Sequence, residues 1–183
     1  MSVVAARVYE DRIEIAADSI CVNGSTKLNG AENKVSKLFK IGDFVIGGVG
    51  ESEELNLFRR YFKDNMISEL NEDRLLDFLI EFKKWKKDLC ESDEIENRYM
   101  IASKGKCFTA KKLFVFPVDD YYAIGAGEFF ARGAMYMGAT PVEAVKAACD
   151  LSIYVSEPII LETIPILNNE SEEASGEPEN DME

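Results

Sequence analysis

Residues 1–19 read MSVVAARVYEDRIEIAADS. Two short runs, VVAARV and RIEIAAD, are rich in β-branched and small apolar residues, and the polar link YED between them predicts a hairpin. The apolar content begins at residue 3, where many domains still have loose chain. One small hydroxyl residue, Ser2, stands between the initiator Met and the first strand. A chain that builds its second residue into the fold brings that residue's amino group to a fixed place. The stretch has neither the charged-then-apolar pattern of a secretory signal nor the ~18 apolar residues of a membrane span. A cytoplasmic protein without membrane attachment is the expectation.

Working outward, SICVNGSTKLNGAENK is polar and Gly/Asn-rich, a loop with room for one short strand. VSKLFKIG and DFVIGGVG follow as strands across the turn dipeptide Gly42-Asp43. The period then changes. In SEELNLFRRYFKDNM, Leu55, Phe58, Tyr61 and Phe62 share one helical face, with Ser52 as the expected N-cap and Glu53 and Glu54 in the first turn. NEDRLLDFLIEFKKWKKDL repeats the pattern with Asn71 as cap and lysines at its far end. RYMIAS, KCFTA, KLFVFPV and YYAIGAG predict further strands. GEFFARGAMYMGA and TPVEAVKAACDLSIYV predict two helices, the second opened by a capping box of Thr140 and Glu143 with Pro141 at its first position. PIILETIPIL closes the body as a strand. Runs of strands alternating with paired helices indicate α+β, with antiparallel sheets covered by helices.

The chain has 183 residues, enough for one core. It contains no histidine, which excludes Ser-His-Asp and Cys-His catalysis and His-ligated metals. Cys21, Cys90, Cys107 and Cys149 lack CxxC spacing and read as buried free thiols. No metal or cofactor is expected, since GVGESE and GAGEFF have neither the spacing nor the lysine of a phosphate loop. The net charge is −13, and residues 168–183, NNESEEASGEPENDME, carry seven acidic and no basic residues. The expectation is a body over 1–167 and an acidic, disordered tail over 168–183. An acidic chain without a basic stripe argues against nucleic acid as a partner.

The ordered set IAADS, NKVSKLF, VIGGVG and YAIGAG, each at its own spacing from the N-terminal strand, resembles the proteasome β-subunit and HslV-like peptidases over about residues 2–165. That resemblance implies an α+β fold, a four-layer αββα sandwich of two antiparallel sheets flanked by helix pairs, of the N-terminal-nucleophile hydrolase type. It implies hydrolysis of peptide bonds in unfolded protein or peptide substrates. It also implies a stacked homo-oligomeric ring of six- or seven-fold symmetry, served by an AAA+ unfoldase.

Residue by residue, the resemblance assigns the nucleophile to Ser2 once Met1 is removed. An α-amine has an ordinary pKa of ~7.7–8.0, so it can act as a base near neutral pH where no imidazole exists. Asp18 and Lys34 match the supporting aspartate and lysine; a Lys⁺ beside the terminus disfavours a protonated amine. Gly48 matches the glycine whose N–H faces the developing oxyanion, with Gly47 adjacent as the alternative. Ile46 would line an apolar pocket for the substrate side chain, and Asp150 matches a second supporting aspartate. Each residue also has a plainer reading. A strand-end Asp caps a turn, a loop Lys is solvated, a strand-end Gly makes a turn, and a helical Asp faces water. The chain departs from the family pattern in using Ser for Thr, which loosens χ1, and in having Ala126 where a serine is usual. These departures leave open a catalytically weak or inactive ring or scaffold protein, and a small-molecule amidase of the same superfamily.

Overall fold

The computed structural model describes residues 1–23, 26–28, 36–90, 92 and 94–166. Lys34 and the acidic stretch 168–183 therefore lie outside the described residues. β1 (Val3–Val8) and β2 (Arg12–Asp18) form the expected hairpin, with Val4 opposite Ala17. β10 (Tyr121–Gly125) flanks β1 and β11 (Ile159–Pro165) flanks β2, all antiparallel, giving the order β10-β1-β2-β11. A second antiparallel sheet runs β5-β6-β7-β8-β9: β5 (Leu38–Ile41), β6 (Phe44–Val49), β7 (Arg98–Ser103), β8 (Lys106–Lys111) and β9 (Phe114–Pro117). The polar stretch after β2 holds two short strands rather than one: β3 (Cys21–Asn23) pairs with β4 (Thr26–Leu28).

The apolar opening has a direct explanation. Val3, Val4, Ala5 and Ala6 are all fully buried because β1 is covered on both faces, and such a strand reads as continuous apolar sequence rather than an alternation. Val3 and Ala5 turn to one core, Val4 and Ala6 to another. The first core packs the β1 sheet against α3 (Glu128–Tyr136) and α4 (Pro141–Leu151). The second lies between the two sheets, where Val4, Ile15 and Ile124 meet Leu38, Val45 and Met100. A third core packs the β6–β8 sheet against α1 (Ser52–Asp64) and α2 (Glu72–Lys87). Three cores stacked in this way make four layers, αββα, as expected.

The helix caps are largely as the sequence predicts. Asn71 Oδ1 accepts the Arg74 N–H at 2.9 Å, and Thr140 and Glu143 form the capping box. The cap of α1 differs, because Glu51 takes that position without a side-chain cap bond and Ser52 is the first helical residue. Ile46 also differs from expectation. It is fully buried in the core under α1 and α2, since β6 alternates and its neighbours Val45 and Gly47 face the other sheet. Among the cysteines, Cys107 alone is fully buried and the other three are half-buried. Among the described residues, no helix is long and apolar enough to cross a membrane.

Phe58 anchors the helix side. It is fully buried and stacks on Tyr99 with ring centroids 3.8 Å apart, while Phe78 and Phe82 meet its edge. Phe58→Ala should lower the unfolding free energy by about 3–5 kcal/mol, the cost of a buried aromatic cavity, as measured by urea denaturation. A loss under about 1 kcal/mol would mean that this core collapses onto the vacated space.

Candidate active site

β1 begins one residue after Ser2, so sheet pairing fixes the backbone on the C-terminal side of that residue. Ser2 is buried, and its carbonyl accepts the Gly127 N–H at 3.3 Å. Its Oγ donates to the Met1 carbonyl oxygen. Gly125, at φ +105°, permits this approach: a Cβ there would fall 2.3 Å from the Ser2 carbonyl oxygen. The backbone of YAIGAG thus closes over Ser2, and Ala126 is exposed and brings no hydroxyl to it.

Asp18 ends β2 directly across from the start of β1. Its carboxylate is fully buried and accepts four hydrogen bonds. Oδ1 takes the Val3 N–H at 2.8 Å and Lys37 Nζ at 2.7 Å; Oδ2 takes the Ile20 N–H at 3.2 Å and the Ser156 N–H at 3.4 Å. A buried carboxylate needs this degree of compensation. Burial lowers the Lys37 pKa from its ordinary value, and the Asp18 charge offsets part of that fall.

Lys37, which the sequence analysis did not single out, is the lysine that the described residues place against Asp18. The stretch NKVSK contains two lysines, and the resemblance selects Lys34, which lies outside the described residues. Lys37 immediately precedes β5, and its backbone is fixed where its carbonyl accepts the Gly48 N–H at 2.9 Å. Adjacency to a strand was the available signal.

A cleft of about 140 Å³ opens in front of Ser2, walled in part by Ile20, Lys37, Gly48, Gly50 and Leu55. Gly48 sits in this wall as expected, but its N–H is already bonded to Lys37, so that amide is not aimed at the cleft. The missing Cβ at 48 has a packing reason: it would lie 2.4 Å from Leu55 Cδ1. Asp150 does not join the cluster. Ala144, Val145 and Ala148 turn inward from α4, which leaves Asp150 exposed and paired with Lys146 one turn earlier. A larger hollow of about 530 Å³ lies beside Lys40, Lys104 and the end of β11. Its charged groups are surface ones, Lys104 pairing with exposed Asp43 at 3.5 Å. The smaller cleft is where a hydroxyl, a carboxylate and a buried ammonium converge.

Asp18→Asn tests the Asp18–Lys37 coupling. Removing the counter-charge should lower the Lys37 pKa further and destabilise the fold by about 3 kcal/mol. Between that lowered folded pKa and 10.5, the unfolded chain holds a proton that the folded chain lacks, so stability rises with pH across that window. Urea denaturation from about pH 7 to 11 should show a wider window of rising stability in the variant than in the wild type. Superimposable pH dependences would show that the two groups are not coupled.

No family model and no curated protein matches the sequence. Solved structures do match. BPH of Thiobacillus denitrificans, in complex with epoxomicin, is 21% identical with a TM-score of 0.81, over 91% of this chain and 100% of that one. HslV of Trypanosoma brucei is 18% identical with a TM-score of 0.67, over 89% and 99%. Anbu, the ancestral β-subunit of Yersinia bercovieri, is 10% identical with a TM-score of 0.67, over 89% and 81%. At these identities what is shared is the architecture: the chain has the fold of the HslV and proteasome-type β-subunits.

Proposed function

We propose that the protein is an N-terminal-nucleophile peptidase in which Ser2, freed by removal of Met1, attacks peptide bonds. The observation that carries this reading is the Asp18 carboxylate, which holds the Val3 amide and the Lys37 ammonium together beside Ser2. In the proposed reaction the Ser2 α-amine takes the proton of its own Oγ, directly or through a water, as Oγ bonds to the substrate carbonyl carbon. The proton then passes to the departing amine, the C–N bond breaks, and an ester on Ser2 remains. Water hydrolyses that ester and restores the hydroxyl. Lys37 takes the part that the resemblance gave to Lys34, its positive charge favouring a neutral amine. Asp150 is given no role.

The comparisons favour the same class, since HslV and Anbu share the architecture and BPH, as solved, carries epoxomicin. A stacked ring fed by an ATP-driven unfoldase in the cytoplasm, acting on unfolded chains, completes the proposal. The second reading is an inert scaffold of the same fold. Ala126, the engaged Gly48 amide and the outward Asp150 favour it.

Intact mass and active-site labelling decide between them. The peptidase should weigh one methionine residue less than the encoded chain and form a stable adduct with a peptide epoxyketone, which needs both hydroxyl and free amine. Ser2→Ala should abolish adduct and peptide hydrolysis together. Retained Met1, or a blocked Ser2 amine, would end the hydrolase reading. Correct processing without an adduct would support the scaffold.

A further inference from the structure

The cleft wall facing Ser2 is not held by its own strand. β6 ends at Val49, and Gly50 follows at φ +135°, a conformation open to glycine alone. The next residue, Glu51, has both backbone groups satisfied by one side chain. Its N–H donates to Asn97 Oδ1 at 2.6 Å, and its carbonyl accepts Asn97 Nδ2 at 2.9 Å. The fit is tight enough that a Cβ at Gly50 would lie 2.0 Å from Asn97 Oδ1. Gly50 and Glu51 both line the cleft. Asn97 itself is buried, behind the wall and away from the cleft.

Asn97 is in turn fixed by Glu54. The sequence places Glu54 in the first turn of α1, where an acidic residue normally sits in water and complements the helix dipole. The structure buries it instead. Glu54 Oε1 accepts the Asn97 N–H at 3.0 Å and the Tyr99 hydroxyl at 3.1 Å. Oε2 accepts the Glu96 N–H at 3.1 Å and Lys86 Nζ at 2.7 Å, and Lys86 also donates to the Glu94 carbonyl at 2.6 Å. Burial and the nearby Glu54 charge hold the Tyr99 phenol protonated, so that it donates. α1, α2 and the approach to β7 thus meet on one carboxylate. A buried ion pair adds little stability over apolar residues of the same volume. What this one does supply is a unique position for Asn97.

We propose that Asn97, held by the Glu54–Lys86 pair, is a positioning residue: it sets the Gly50–Glu51 backbone along which an extended peptide lies in front of Ser2. The proposal rests on the hydrolase reading above. Backbone contacts of this kind act on substrate and transition state alike, so their loss appears in KM rather than kcat. A substrate too short to reach residues 50 and 51 would not register it.

The test uses processed full-length protein and two fluorogenic substrates, a tetrapeptide amide and a single-residue amide. Asn97→Ala should raise KM for the tetrapeptide about tenfold, with kcat within about twofold, and should leave kcat/KM for the short substrate within about twofold. Hydrogen exchange at the Glu51 amide should be faster in the variant, a measurement that needs no substrate. Should Asn97→Ala not fold, Asn97→Ser, too short to bridge both Glu51 groups, is expected to shift KM and exchange in the same directions. Unchanged tetrapeptide KM in a working enzyme, or equal losses on both substrates, would overturn the positioning role alone. A processed wild type that cleaves neither substrate and takes no epoxyketone would overturn the hydrolase reading and this proposal with it.

Discussion

Four hydrogen bonds to one buried carboxylate organise the end of the molecule where the chain begins. Asp18 ties the first residue of β1, the loop after β2, the segment before β11 and the lysine before β5 to a single point. Such a group is tolerable in the interior because every strong acceptor direction is used and one donor is a cation. The strand that contains Asp18 is buried on both faces from Ile15 to Asp18, so no solvent is available to replace a lost partner. Ser2 owes its position to this arrangement through Val3, and separately to the Gly127 N–H that its carbonyl accepts.

A second carboxylate, Glu54, does the same for the facing wall of the cleft. Asp18 works from the layer of β1 and β2, Glu54 from α1 where that helix meets β7, and the cleft lies between what they hold. Each is paired with a buried lysine, Lys37 at 2.7 Å and Lys86 at 2.7 Å. Most of the rest of the interior is apolar, with an aromatic cluster around Phe58 under the helices and small residues where α3 and α4 approach the sheet. The apolar cores set the layers; the two ion pairs set the details at one end of them.

Much of the architecture was legible in the chain. The continuous apolar run from Val3, the turn dipeptide at Gly42-Asp43 and the three- and four-residue spacing from Phe58 to Phe62 are local patterns, and the local patterns agree with the layers that form. The helix caps at Asn71 and Thr140 were legible for the same reason, since a cap is made by residues three apart. The cap of α1 was not, because Ser52 is the favoured type, yet Glu51, whose backbone groups are both bonded by the distant Asn97, takes the position. Ile46 was misplaced because it shares a face of β6 with Gly48 but stands two residues earlier, where the helices cover that face and the cleft does not reach.

Residue types therefore determined the secondary structure, the α+β class with antiparallel sheets covered by helices, the absence of any imidazole and the presence of a hydroxyl residue just ahead of the first strand. These depend on neighbours in sequence or on composition alone; the αββα order was implied by the resemblance. That Lys37 meets Asp18, whether the Gly48 amide is free, which way Asp150 turns and why Glu54 is buried were decided only by the tertiary structure. Each of these depends on a partner many residues away, whose position exists only after sheet register and layer packing have placed it.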